Sequence, residues 1–254
     1  MGKLCAGIIA GLLMATIRPA VAGGEENVAA ARIEAMANRL AKAQRIGVSI
    51  DCTYDIVQDS GEKIEFGERR ELTLLRPDRA RFEVARRDGA RRGIVFDGKQ
   101  LTAFDLDAKV YATIEKPGTV DAAFAYFTQE LKMRLPLREL FAADLPQQLK
   151  DALASARVVG DETVGDVATD HVAFRRDTAD VQLWIARDGE PLPQRVVITY
   201  RLAEGQPQFR ADFHGWTLNP DVSDSKFTFA PAADAEKIPF LAPTRAREAG
   251  DKQP

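Results

Sequence analysis

The sequence predicts a mainly β protein of the α+β kind: a strongly curved antiparallel sheet, or incomplete β-barrel, with an N-terminal helix and a helical lid insert lying in its concave face. Three observations carry that expectation. Apolar residues recur at every second position through most of 46–114 and 157–229, the mark of half-buried strands. Turn residues such as Asp97-Gly98 and Arg187-Asp188-Gly189 punctuate those runs at short intervals. Between them, residues 119–156 change to a helical period and are rich in Phe, Tyr and Leu.

Each element follows in order. Ala29, Ile33, Met36 and Leu40 lie on one helical face, so Asn27 to about Gln44 is a helix. Val48, Ile50, Cys52, Tyr54 and Ile56 then alternate with polar residues in a first strand. Asp59-Ser60-Gly61 turns it into a second, with Ile64, Phe66, Leu72 and Leu74 on one side. Arg76-Pro77-Asp78 ends that strand. Further strands are expected at Arg81–Arg86, Arg92–Phe96, Leu101–Leu106 and Val110–Ile114. Thr119 can cap a helix carrying Val120, Phe124, Phe127 and Leu131, interrupted at Pro136. Leu137–Phe141 is a helical turn and Pro146–Ala156 a helix. Strands resume at Arg157–Glu162, Val167–Arg175, Val181–Ala186, Gln194–Tyr200, Gln208–Leu218 and Lys226–Phe229. The simplest product is one continuous meander, its concave face covered by the apolar insert.

Composition bounds the rest. Hydrophobic residues make up 45% of the 254, well above a disordered chain, so a sizeable core is expected. Leu4–Ile17 is the one uninterrupted apolar run. It falls short of the about 20 residues that span a bilayer. With Lys3 before it and Ala20-Val21-Ala22 after it, residues 1–22 read as a signal peptide cleaved before Gly23. Removing Lys3 and Arg18 takes the net charge from −3 to −5 and leaves Cys52 as the one cysteine. That balance argues against a nucleic-acid partner. Two cysteines are too few for a disulfide framework or a four-cysteine zinc site. Residues 23–240 read as a single open-barrel domain and 241–254 as a disordered charged tail.

Chemistry is sparse. There is no His-Glu-x-x-His, Walker loop, Gly-x-Ser-x-Gly or Cys-x-x-Cys. His171 and His214 stand alone in separate strands. No catalytic residue, metal ligand or cofactor is expected. Seven arginines fall within residues 76–92. Among them Arg86, Arg87, Arg91 and Arg92 are candidates for a patch that docks an acidic partner or anionic headgroups; the plainer reading is a solvated hairpin edge.

A set of short segments carries a family resemblance. It includes Arg76-Pro77-Asp78-Arg79 with Phe82, Phe96-Asp97-Gly98-Lys99, and Tyr111-Ala112-Thr113. It continues with Asp170-His171-Val172-Ala173-Phe174, Gln182-Leu183-Trp184-Ile185, Pro191-Leu192-Pro193, Val197-Ile198-Thr199-Tyr200 and Phe227-Thr228-Phe229-Ala230-Pro231. This set resembles the DUF2092 family of predicted periplasmic proteins and, more distantly, the LolA-like lipoprotein carriers. The resemblance implies a periplasmic half-barrel whose helices cover an apolar cavity. It implies a non-catalytic binder of a lipid or lipoprotein acyl chain. The chain is expected to be a monomer that can touch a membrane peripherally. The alternative is an envelope interaction or sensing module with a protein partner. Candidate cavity residues are Val48, Ile50, Tyr54, Phe66, Leu72, Leu74, Phe82, Phe96 and Trp184 on the sheet, with Phe124, Phe127 and Leu131 on the lid.

Overall fold

The computed structural model describes residues 22–240 except Arg134. The tail lies outside these residues, as does all of the signal segment but Ala22. The chain runs α1 (Ala22–Lys42), β1 (Arg45–Val57), β2 (Lys63–Leu75), β3 (Arg79–Arg86), β4 (Arg91–Phe96), β5 (Gln100–Asp105) and β6 (Val110–Glu115). An insert with α2 (Val120–Ala125) and α3 (Leu145–Leu149) follows. Then come β7 (Arg157–Val164), β8 (Val167–Arg175), β9 (Ala179–Ala186), β10 (Pro193–Tyr200), β11 (Gln208–Leu218) and the short β12 (Glu236–Lys237). The alternation read from the sequence places β1 to β11 to within a few residues.

All twelve strands form one sheet in the order β12-β6-β5-β4-β3-β2-β1-β11-β10-β9-β8-β7. It is not one continuous meander. Two meanders, β1–β6 and β7–β11, meet where β1 pairs with β11, from Ile46 opposite Leu218 to Tyr54 opposite Phe209. The insert carries the chain from the β6 edge to the β7 edge. The two outer edges do not pair, so the curved sheet stays open. A register shift between Gly47 and Ser49 bends it at the seam.

Helix α1 lies in the concave face. Ala29, Ile33, Met36, Ala37 and Leu40 are fully buried, because their spacing puts them on one stripe. They join a single core with the inward positions of β1, β2, β8, β9 and β11, including Ile50, Leu74, Val172, Ile185 and Phe213. Arg76 ties this core to the insert. Its guanidinium donates to the carbonyls of Ala43 and Phe141, both at 3.0 Å.

The insert is less regular than its periodicity predicts. Thr119 caps α2, its hydroxyl accepting from the Ala122 amide at 3.2 Å. The helix then widens into a π-helical turn over Tyr126–Glu130. The Thr128 hydroxyl donates back to the carbonyls of Phe124 (3.1 Å) and Ala125 (3.2 Å), competing with the regular helical bonds. The expected helix at 146–156 is α3 followed by a tight 3-10 stretch, Lys150–Ser155.

Lys226–Phe229 is not a strand, contrary to its alternation. It crosses the convex face instead, where Phe229 packs on Phe104 and Tyr111. Asp224–Phe227 is a 3-10 turn capped by Ser223. Phe227 is buried, and Phe229 stacks on Phe104 with ring centroids 4.8 Å apart. Gly93 permits this: a Cβ there would come within 2.6 Å of the Phe104 ring. The segment then adds β12 parallel to β6, and Phe240 reaches Tyr126 of the insert.

Candidate functional site

Cross-strand register aligns one apolar row over six strands of the concave face. Phe174 in β8 faces Val181 in β9, which faces Ile198 in β10. Ile198 faces Phe209 in β11, which faces Tyr54 in β1, and Tyr54 faces Phe66 in β2. Because side chains alternate along each strand, all six project to the same side. The insert covers the β8–β10 end of this row without filling it. A groove of about 520 Å³ remains, within the about 300–1,000 Å³ of small-molecule sites. Val181, Leu183, Val196 and Ile198 floor it. Leu135, Leu137 and Leu145 roof it. An ion pair between Arg176, in the β8–β9 turn, and Glu139 of the insert bridges the two sides at the rim.

None of the twelve predicted cavity residues lines that groove. Val48, Ile50, Leu72, Leu74, Phe96, Phe127 and Leu131 are packed in the closed core. Tyr54, Phe82 and Phe124 are half-buried against it. Phe66 lies on the expected face but is 37% exposed, stacked on Tyr54 at 6.2 Å between ring centroids. β3 ends opposite Glu68, so Phe66 has no neighbour on that side. Trp184 is on the wrong face. Leu183-Trp184-Ile185 are consecutive apolar residues, and the flanking Leu183 and Ile185 take the core positions. The groove floor carries the same two-residue period as β1 and β2, so the signal existed in β9 and β10.

On the convex face Trp184 stacks on His171 at 4.0 Å and donates to Glu162 at 2.8 Å. The Nδ1 of His171 is 2.8 Å from the other Glu162 oxygen, and its Nε2 is 3.0 Å from Gln182 Oε1. The Trp184 and His171 hydrogen bonds hold the Glu162 carboxyl below its ordinary pKa. With both ring nitrogens engaged and the ring buried, His171 is a structural residue. His214 pairs with Asp51 at 3.3 Å, and the Arg69 guanidinium holds Asp51 below the usual carboxylate range. Burial pushes the Cys52 thiol up to about 12, so it is protonated and inert. Among the described residues no three His, Cys, Asp or Glu side chains converge as a metal site.

The four arginines of the predicted patch divide between two faces. Arg86 lies opposite Glu68, and Arg92 opposite Val84, on the concave side. Arg91, in β4, alternates to the convex side, and Arg87, in the turn after β3, lies there against Gly67. Arg87 pairs with Glu65 at 3.6 Å. Sequence proximity therefore does not make a single patch.

An open, strongly curved half-barrel with an apolar groove between its concave face and a helical cover defines the fold class. Within it, the chain belongs to the DUF2092 family of predicted periplasmic proteins, whose family model matches residues 29–241. No curated protein matches it in sequence. Among solved structures it is similar to the Mycobacterium tuberculosis lipoprotein LppX, at 13% identity over 78% of this chain and 98% of that one, with a TM-score of 0.46. LprF from Mycobacterium bovis matches at 12% identity over 78% and 96%, TM-score 0.48. The LolA superfamily protein NE2245 from Nitrosomonas europaea matches at 12% over 79% and 97%, TM-score 0.39. At these identities the likeness is one of sheet layout alone.

Proposed function

We propose that this chain is a non-catalytic periplasmic binding protein that holds a lipid or lipoprotein acyl chain in the groove between β8–β10 and the insert, and carries it between membranes. The supporting observation is the groove itself: an apolar floor and roof that leave about 520 Å³ between them. Binding needs only burial. Each methylene removed from water contributes about 0.8 kcal/mol, and ordering two molecules into one costs about 4–15 kcal/mol. Short chains therefore do not bind measurably, and an occupant needs on the order of ten or more methylenes.

Purified protein extracted with organic solvent and analysed by mass spectrometry should release such a chain. Ile198→Trp fills the floor at a half-buried position. It should lower affinity for a fluorescent long-chain fatty acid at least tenfold, with the circular dichroism spectrum unchanged. A protein that yields no lipid and binds no such probe would sink the reading.

A further inference from the structure

The apolar row that floors the groove continues past it, through Phe209 and Tyr54 to Phe66. From Ile198 in β10 to β3 is four strand spacings, about 19 Å. At that far end the concave face turns from apolar to basic. Arg70, in β2, lies over the rings of Phe82 (6.0 Å) and Phe209 (5.3 Å) and is paired with the buried Glu68 at 2.7 Å. Arg86 sits opposite Glu68, and Arg92 is two strands from Arg70 across Val84. Three guanidinium groups thus face the single buried carboxylate of Glu68.

The remaining acids nearby do not restore the balance. Asp88 meets Arg86 only at 3.4 Å, and its other oxygen accepts from the Ala90 amide. Asp105 is in register with Arg92, yet its carboxylate turns into its own tight turn and accepts from the amides of Asp107 (3.1 Å) and Ala108 (2.9 Å). Arg92 is exposed and has no ion pair among the described residues. A cation excess at the end of an apolar track is the complement of one molecular shape: a long apolar tail with an anionic head.

We infer that the ligand is an anionic amphiphile whose head group is received by Arg86 and Arg92, beside Arg70, while its tail runs over the half-buried Tyr54 and Ile198, above the covered ring of Phe209, into the groove. This rests on the groove holding an acyl chain. Charge at the head then selects among lipids whose tails are alike, because a guanidinium contact to a carboxylate or phosphate is made only by a charged head.

The test compares oleate, dodecyl phosphate and uncharged oleyl alcohol as competitors of a fluorescent fatty acid. On the intact protein, oleate or dodecyl phosphate should bind at least tenfold more tightly than the alcohol, and the gap should narrow with added salt. The anion that binds more tightly identifies the head as carboxylate or phosphate. The double variant Arg86→Gln, Arg92→Gln should lose that gap while keeping its affinity for the alcohol. Both positions are exposed, so the fold survives the change. Equal affinity for all three on the intact protein would overturn the inference and leave the groove reading standing, as would a gap that persists in the double variant. Failure of every competitor to bind would overturn both.

Discussion

Two polar residues, the half-buried Arg76 and the exposed Glu162, show how individual side chains hold this molecule together. Arg76 spends its guanidinium on two carbonyls, of Ala43 and Phe141. Burial lowers its pKa, yet it stays charged. Arg76→Leu should cost about 1–3 kcal/mol in urea denaturation, since both acceptors lose their donor. Glu162 makes a different prediction. Its carboxyl titrates lower in the fold than in the unfolded chain. Its contribution is thus complete at neutral pH, where both forms are ionised, and is lost as pH falls through the folded value. Glu162→Gln should flatten the acid limb of the melting profile and leave the neutral limb shifted evenly. Residues were legible in the sequence where alternation was clean, as at Val48 through Cys52. They were not where three apolar residues run together, as at Leu183-Trp184-Ile185, because a period of two then has no phase.

Among the elements, strands were read better than helices. A strand needs only its alternation, which survives any choice of neighbour. A short helix depends on local competition, and the Thr128 hydroxyl wins it at the end of α2. The cap at the other end was legible because Thr119 is placed to bond its own amide three residues on. Thr119→Ala should destabilise the protein by about 1 kcal/mol. The segment after β11 failed for a reason outside itself. Phe227 and Phe229 alternate as a strand would, but the surface they meet is the convex face of the sheet. Phe227 is buried, and the Phe229 ring docks on Phe104 and Tyr111 instead. The groove was missed for a related reason. Core and lining residues share one pattern, and only the fit of Leu135–Leu149 over β8–β10 separates them.

At the scale of the whole molecule, strand order was beyond the sequence. Period and turns name the strands, but nothing in them says that β11 returns to β1 across some 150 residues of chain. Both meanders can form from local hairpins; their seam cannot. Refolding should therefore be slow, with hydrogen exchange protection at Ile50 and Phe213 arising after protection within β3–β5. Protection of the seam in the first phase would contradict this.

The insert has a mechanical position as well as a packing one. It leaves the sheet at β6, beside the two-residue edge strand β12, and rejoins it at β7, the opposite edge. The sheet is bent like a bow and the insert is strung between its tips. Flattening the bow draws the string taut over the groove; bending it further slackens the string. On the proposed function, a contact that stiffens the sheet anywhere, even on its convex back, is expected to change how readily a ligand enters the groove.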